Sequence, residues 1–237
     1  DRNILMMYAN IGNTFRVPSL SEIGFNYNHS FNSNGTLFQL VPEQKNTFEI
    51  GLKVEEISQK PKKKYHGTIS WFRYNYIDKI KHVYFSGSPS YFPINAGDVS
   101  LKGFDSKFFY NTNLDRLVVS QTFAYYIFDD PTAFPFQPEK IIRNKIQLKT
   151  RFFNIDLIYK IEGKRHITTM NNDLTMIQNY VKPINNFDIN IHRIFSMNRF
   201  QGTISVSGRN LKNLSQELNG VSIYDRRYIF NIMMRYK

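Results

Sequence analysis

Residues 46–55 read Asn46-Thr47-Phe48-Glu49-Ile50-Gly51-Leu52-Lys53-Val54-Glu55. Phe48, Ile50, Leu52 and Val54 take every second position, and Thr47, Glu49, Gly51 and Lys53 fill the places between them. In an extended chain successive side chains point to opposite faces, so this stretch is a ribbon with one apolar and one polar side. The pattern recurs downstream. Ile142, Asn144, Ile146 and Leu148 alternate with Arg143, Lys145, Gln147 and Lys149. Phe153, Ile155, Leu157 and Tyr159 alternate with Asn154, Asp156 and Lys160, and Phe187, Ile189 and Ile191 with Asp188, Asn190 and His192. Apolar residues at helical spacing are sustained nowhere, so the chain reads as all-β.

Ten spans carry this period, at 2–10, 46–55, 66–80, 97–111, 116–127, 140–149, 152–161, 184–194, 200–211 and 225–237. Most run about 9–14 residues, longer than the usual soluble strand and close to what a tilted membrane strand needs. Pro18, Pro42, Pro61, Pro89, Pro93, Pro131, Pro135, Pro138 and Pro183 all fall between the spans, where no ladder donor is lost. Connection lengths alternate. The stretches 11–45, 81–96, 128–139, 162–183 and 212–224 are long, whereas 56–65, 112–115, 150–151 and 195–199 are short. An antiparallel up-and-down meander with tight turns at one end and long loops at the other is how a transmembrane β-barrel is built.

Composition narrows the class further. The 237 residues carry 31 Lys+Arg against 19 Asp+Glu, a formal charge of +12, with 16% aromatics and no Cys. Lacking Cys, the chain has no disulfide framework, thiolate metal site or cysteine nucleophile. No stretch is long and apolar enough for a spanning helix. Asp1 is not an initiator Met and no signal segment follows it, so the chain is expected to be a piece of a longer one. In the last span Tyr228, Phe230, Ile232, Met234 and Tyr236 share one face. That face is wholly apolar with a Tyr at each end, as lipid contact with interfacial aromatics requires.

The connecting segments then carry a family resemblance. Phe15-Arg16-Val17-Pro18-Ser19-Leu20-Ser21-Glu22, Leu40-Val41-Pro42-Glu43 and Glu49-Ile50-Gly51-Leu52-Lys53 resemble, in order, three boxes of the TonB-dependent outer-membrane receptors. Phe72-Arg73-Tyr74-Asn75-Tyr76-Ile77-Asp78 is similar to that family's aromatic strand. Asn95-Ala96-Gly97, Gly103-Phe104-Asp105, Asn210-Leu211, Gly220 and Arg226-Arg227 follow in the family's order. Val17, Asp105 and the ending Tyr236-Lys237 depart from the usual alanine, glutamate and terminal aromatic. The resemblance implies that residues 1–237 are the C-terminal portion, about ten strands, of a barrel of about 22 strands around a plug. With the C-terminus in the periplasm, the long connections lie outside. Such a piece alone has two unpaired edges and is not expected to be stable.

No catalytic constellation is present, neither a nucleophile elbow nor a phosphate loop nor a zinc-binding helix motif, so the chain is not expected to be an enzyme. Asp129-Asp130 and Glu55-Glu56 are neighbours that an extended backbone points apart. His29 lies between the first two boxes, where haem-uptake members of the family have an axial haem ligand, and neutral imidazole suits that role. A solvated place in an Asn/Ser-rich loop is the plainer reading. Lys164-Arg165-His166 is expected to form a basic tip on an outer loop, facing an anionic ferric chelate or lipopolysaccharide phosphates, or merely water. Arg143, Lys145 and Lys149 are expected to line the lumen, and Lys60-Pro61-Lys62-Lys63-Lys64 to keep a periplasmic turn wet. His66, His82 and His192 stand singly on strands or at strand ends. The basic residues form no single stripe, which argues against nucleic acid.

The resemblance implies an outer-membrane receptor importing a scarce ligand such as an iron–siderophore complex, haem or cobalamin, energised by TonB acting through the absent N-terminal region. It implies no resident cofactor or metal, and partners in outer-membrane lipid and lipopolysaccharide. A passive pore or surface adhesin of similar build is the alternative, and a soluble β-rich binding module the third.

Overall fold

The computed structural model describes residues 2–23, 40–57, 64–86, 91–112, 116–171, 175–212, 216–218, 221–223 and 225–236. Its strands are β1 (Arg2–Arg16), β2 (Glu43–Ile57), β3 (Lys64–Ile77), β4 (Ile80–Phe85), β5 (Tyr91–Asn95), β6 (Val99–Asn111), β7 (Leu117–Phe128) and β8 (Lys140–Lys149). They continue as β9 (Asn154–Glu162), β10 (Arg165–Met170), β11 (Met176–Val181), β12 (Ile184–Met197), β13 (Phe200–Arg209), β14 (Gln216–Leu218), β15 (Val221–Ile223) and β16 (Arg227–Tyr236). A ten-stranded sheet runs in the order β1-β2-β3-β6-β7-β8-β9-β12-β13-β16, each strand antiparallel to its neighbours. These are the ten alternating spans, in chain order. The sheet does not close on itself, and β1 and β16 are its edges.

Directly opposed residues share a face, so the register sorts the two sides. Leu5, Met7 and Ile11 on β1 meet Val54, Leu52 and Phe48 on β2, and Ile50 and Leu52 meet Trp71 and Ile69 on β3. The stripe continues through Phe104 and Tyr125, Ile146 and Leu157, Ile191 and Val206, and on to Phe230 and Ile232. Met7 is 76% exposed, Ile11 84% and Phe230 63%. Among the described residues no second layer covers this face, and apolar area on that scale calls for a solvent other than water. At the short-connection end the stripe finishes in Tyr65 opposite Tyr110 and in Phe200 packed edge-on against Tyr236, an aromatic belt of the membrane–water boundary.

The long connections differ from expectation. Residues 81–96 and 162–183 are not open loops. They form the hairpins β4–β5 and β10–β11, joined into one four-stranded sheet where β10 runs parallel to β4 at Thr169 and Met170. Val83, Phe92 and Met170 make its buried core. Its strands are only five or six residues long, too short to announce themselves by alternation. Pro93 lies inside β5, an edge strand, where a missing donor costs no ladder bond. The expected third span, 66–80, is broken at Asp78, which takes a positive φ of 51° and turns the chain out of β3. Strand β1 continues to Arg16, so the Phe15-Arg16 pair belongs to the wall.

Candidate functional site

The inward face carries polar side chains that satisfy one another. The Tyr8 hydroxyl donates to Glu49 (2.9 Å), Ser70 to Asp105 (2.8 Å), and the Gln147 and Asn190 amides to Asp156 (2.8 and 3.2 Å). Asn154 and His192 lie 3.1 Å apart on the same side. A recess of about 400 Å³ opens there, lined by Lys145, Asp156, Asp188, Asn190 and Arg209. Lys145 thus faces inward as the alternation predicted, and Arg143 shares its face with Lys160 and Glu162.

Towards the long-connection end this lining changes character. Phe72, Tyr74 and Tyr76 follow one another on the inward side of β3, with Tyr126 and Phe128 across on β7. Phe72 stacks on Tyr74 with centroids 4.9 Å apart and tilts against Tyr126 at 5.8 Å. A short 3-10 turn, Pro131–Ala133, drops Phe134 onto Tyr76 (5.4 Å) and Phe128 (5.2 Å), and Ala133 and Phe134 are buried there with Val99 and Leu101. Asp130 fixes the turn by accepting from the Thr132 backbone N–H at 2.9 Å. Lys45 sits 4.0 Å above the Tyr74 ring and Lys79 4.7 Å above Tyr76. The mouth therefore has a wall of rings topped by ammonium groups, which the sequence held in view as aromatics on the polar side of β3.

The boxes quoted from the sequence meet at one hub beside that wall. Ser19 and Glu22 form a reciprocal cap: the Ser19 N–H donates to Glu22 Oε2 (2.8 Å) and the Glu22 N–H to Ser19 Oγ (3.3 Å). Glu22 is 4% exposed and also takes Arg16 at 2.5 Å and His82 Nε2 at 3.1 Å. Burial alone would push its carboxyl up. The hydrogen bonds from Ser19, His82 and Arg16 override burial and bring it down to about 2. Glu43, from the second box, is buried beneath Lys79 (3.1 Å) and accepts the Ile80 N–H at 2.9 Å. Asn95 accepts the Val41 N–H (3.0 Å) and donates to the carbonyls of Val41 (3.1 Å) and Asp78 (2.7 Å). These contacts clamp the β1–β2 connection to the β3–β6 connection.

Of the candidate ligand residues, Lys164, Arg165 and His166 are placed at the foot of β10, away from the hairpin's tip. Lys164 Nζ lies 5.3 Å over the Tyr180 ring, Arg165 points to Glu162 (4.0 Å) and His166 to Glu139 (3.3 Å). The three side chains do not converge on a point. His29, the turn residues 60–63 and Gly220 lie outside the described residues. Beside the hub, the loop sheet presents His82, Tyr84 and Tyr91, with His82 and Tyr91 centroids 4.4 Å apart and Phe136 edge-on to Tyr84 at 5.2 Å. Burial, reinforced by Tyr91, raises the Tyr84 phenol above its usual value, so it stays a neutral donor.

The family described as "TonB dependent receptor-like, beta-barrel" matches residues 2–214. No curated protein matches the chain. The pyoverdine outer-membrane receptor FpvA from Pseudomonas aeruginosa PAO1 superposes with a TM-score of 0.66 at 13% identity, covering 98% of this chain and 34% of that one. The copper transporter OprC gives 0.64 at 16% identity, with 96% and 36% covered. The siderophore receptor PirA from Acinetobacter baumannii gives 0.55 at 15% identity, with 84% and 32% covered. The chain thus spans about a third of the length of these solved proteins.

Proposed function

Because this chain belongs to the TonB-dependent receptor β-barrel family, an outer-membrane family of receptors rather than enzymes, we propose that it is the C-terminal wall of a receptor that imports an anionic metal chelate. The rest of the barrel and the plug precede it, and the long connections, with the loop sheet, face the outside. The carrying observation is the aromatic wall of Tyr74 and Tyr76, backed by the buried Phe134 and topped by Lys45, with Lys79 beside it held against Glu43. A ferric catecholate joins aromatic rings to net negative charge, and such a wall attracts the charge while the rings cover apolar area. The hub built on Glu43 and Asn95 supports the reading by clamping the β1–β2 connection to the β3–β6 connection, which holds that end of the wall as a fixed surface. Energy supplied through TonB fits the same reading, as does haem as an alternative cargo held by His29.

The test is titration of the full-length receptor in detergent with ferric siderophores, read by intrinsic fluorescence, beside iron-limited growth with and without TonB. One ferric chelate binds and supports TonB-dependent growth, and Lys45→Gln weakens binding about tenfold. Liposomes that leak small solutes through the receptor without an energy source, with no chelate bound, would establish the pore instead.

A further inference from the structure

We propose that β11 is a self-pairing edge through which two copies of the receptor associate. The loop sheet runs β11-β10-β4-β5, so β11 and β5 are its open edges. They are guarded differently. β5 carries Pro93, which has no N–H to offer, and both Phe92 and Pro93 are buried. β11 reads Met176-Ile177-Gln178-Asn179-Tyr180-Val181, with no charge, proline or glycine, and all but Val181 are exposed. Met176 is 54% exposed, Ile177 41% and Tyr180 59%, so both faces of the strand offer apolar area. Edge strands usually carry charges, prolines or bulges, because a neutral, β-prone edge recruits another strand. Among the described residues only β10 pairs with β11.

The order of side chains along β11 selects the occupant. A two-fold axis perpendicular to the sheet sets the strand antiparallel to its own copy and keeps like faces together. With that axis at Gln178, Met176 meets the second copy's Tyr180, Ile177 meets its Asn179, and Gln178 meets Gln178. The residue on such an axis has to complement itself. A Lys or Glu there would face its own charge, whereas an amide both donates and accepts. Gln178 has no side-chain hydrogen bond to any described residue of its own copy, so its amide is available. The two Met176–Tyr180 contacts bring sulfur against ring. Met176 stands opposite the buried Met170, so these contacts extend the core of Val83, Phe92 and Met170 into the second copy. A partner of other chemistry finds no charge on β11 to steer it, and a second copy needs none. One pair of six-residue strands falls below the area of a stable dimer, so the association is reversible. It is placed outside the cell by the orientation proposed above, and it holds whatever the receptor imports.

The chain has no Cys, and opposed Cα atoms of an antiparallel pair lie about 4.5–5.5 Å apart, within reach of a disulfide. The experiment places one cysteine at a time in the full-length receptor, with serine at any cysteine outside these residues, and oxidises outer membranes of expressing cells with copper phenanthroline. Gln178→Cys is expected to give a dimer band on non-reducing gels about fivefold stronger than Ile177→Cys, Asn179→Cys, or Tyr91→Cys on the other edge. Met176→Cys/Tyr180→Cys is expected to dimerise as well. Adding Gln178→Lys to that pair should weaken the band about tenfold, because two ammonium groups then meet on the axis. Heat-modifiable gel mobility checks that each variant folds. Should one misfold, wild-type copies carrying two different tags and fixed with formaldehyde in cells decide, and they are expected to co-purify. Equal bands at all four single positions, no band for Gln178→Cys, a band in detergent but none in outer membranes, or tagged copies that stay apart overturns the pairing. A band for Asn179→Cys alone overturns the register. Chelate binding and TonB-dependent growth are unaffected by any of these results, so failure here is distinguishable from failure of the import reading.

Discussion

Replacing Glu22 by Gln removes the charge at the centre of the hub. The carboxyl is brought from 4.5 to about 2 in the folded protein, and a shift of that size corresponds to about 3 kcal/mol. Arg16, one of its partners, is 44% exposed, so water screens part of that, and about 2 kcal/mol is the working figure. The expected effect is local opening of the 17–23 segment about 30-fold more often, read as faster hydrogen–deuterium exchange at Ser19 and Ile23, whose N–H groups bond to Glu22 and to the Ser19 carbonyl. The pH dependence has a definite sign. A carboxyl lowered on folding stabilises the folded state above its unfolded value, and that contribution is lost as pH falls from 4.5 through about 2. Once corrected for the intrinsic rate, wild-type protection should be flat from pH 7 to 5 and fall below 4.5. Glu55→Gln serves as a control, because its partner Lys53 is a solvent-exposed pair. Equal protection in Glu22→Gln and wild type at pH 7, or wild-type protection already lost at pH 6, would refute the reasoning.

Other expectations can be measured in the same full-length receptor. A Cβ on Gly103 would fall 2.1 Å from the Tyr125 carbonyl and 2.9 Å from Phe72, so Gly103→Ala should cost about 1–3 kcal/mol; an unchanged thermal shift in heat-modifiable gel mobility would count against the packing described. Met170→Ala empties the core shared with Val83 and Phe92 and should cost the loop sheet about 2 kcal/mol or more. Proteolysis would then cut within 163–183 while the ten-stranded wall stays protected, and no change in cleavage would argue that the loop sheet is held otherwise. For His29→Ala, haem titration decides: loss of the Soret change supports axial ligation, and an unchanged spectrum and affinity end it.

How much was legible in the sequence follows from what each feature depends on. The ten wall strands depend on a period of two that runs for at least nine residues per strand, and each residue's face is fixed by its parity alone. Parity placed Ile50, Leu52 and Val54 towards lipid and Lys145 and Asn190 inward before any partner was known. The two-faced chemistry follows directly, because one solvent is hydrocarbon and the other is water. The Ser19–Glu22 cap was present as a serine three residues before a glutamate, a signal the box pattern obscured.

Contacts between residues far apart in the chain left no such mark. Glu43 under Lys79, His82 against Glu22, and Asn95 bridging Val41 and Asp78 join stretches separated by 17 to 60 residues. Their partners are single polar residues with no period to announce them. The pairing of β10 with β4 likewise brings Thr169 and Met170 onto Tyr84 and Phe85 from strands too short to show alternation. The opposition of Arg73 and Lys102 is a matter of register, set only when β3 meets β6. What the chain fixed by itself is which side of each long strand meets lipid; the hub, the aromatic mouth and the loop sheet exist only once folding brings distant segments within bonding distance, since a hydrogen bond or a charge pair acts over a few ångströms of space whatever the separation along the backbone.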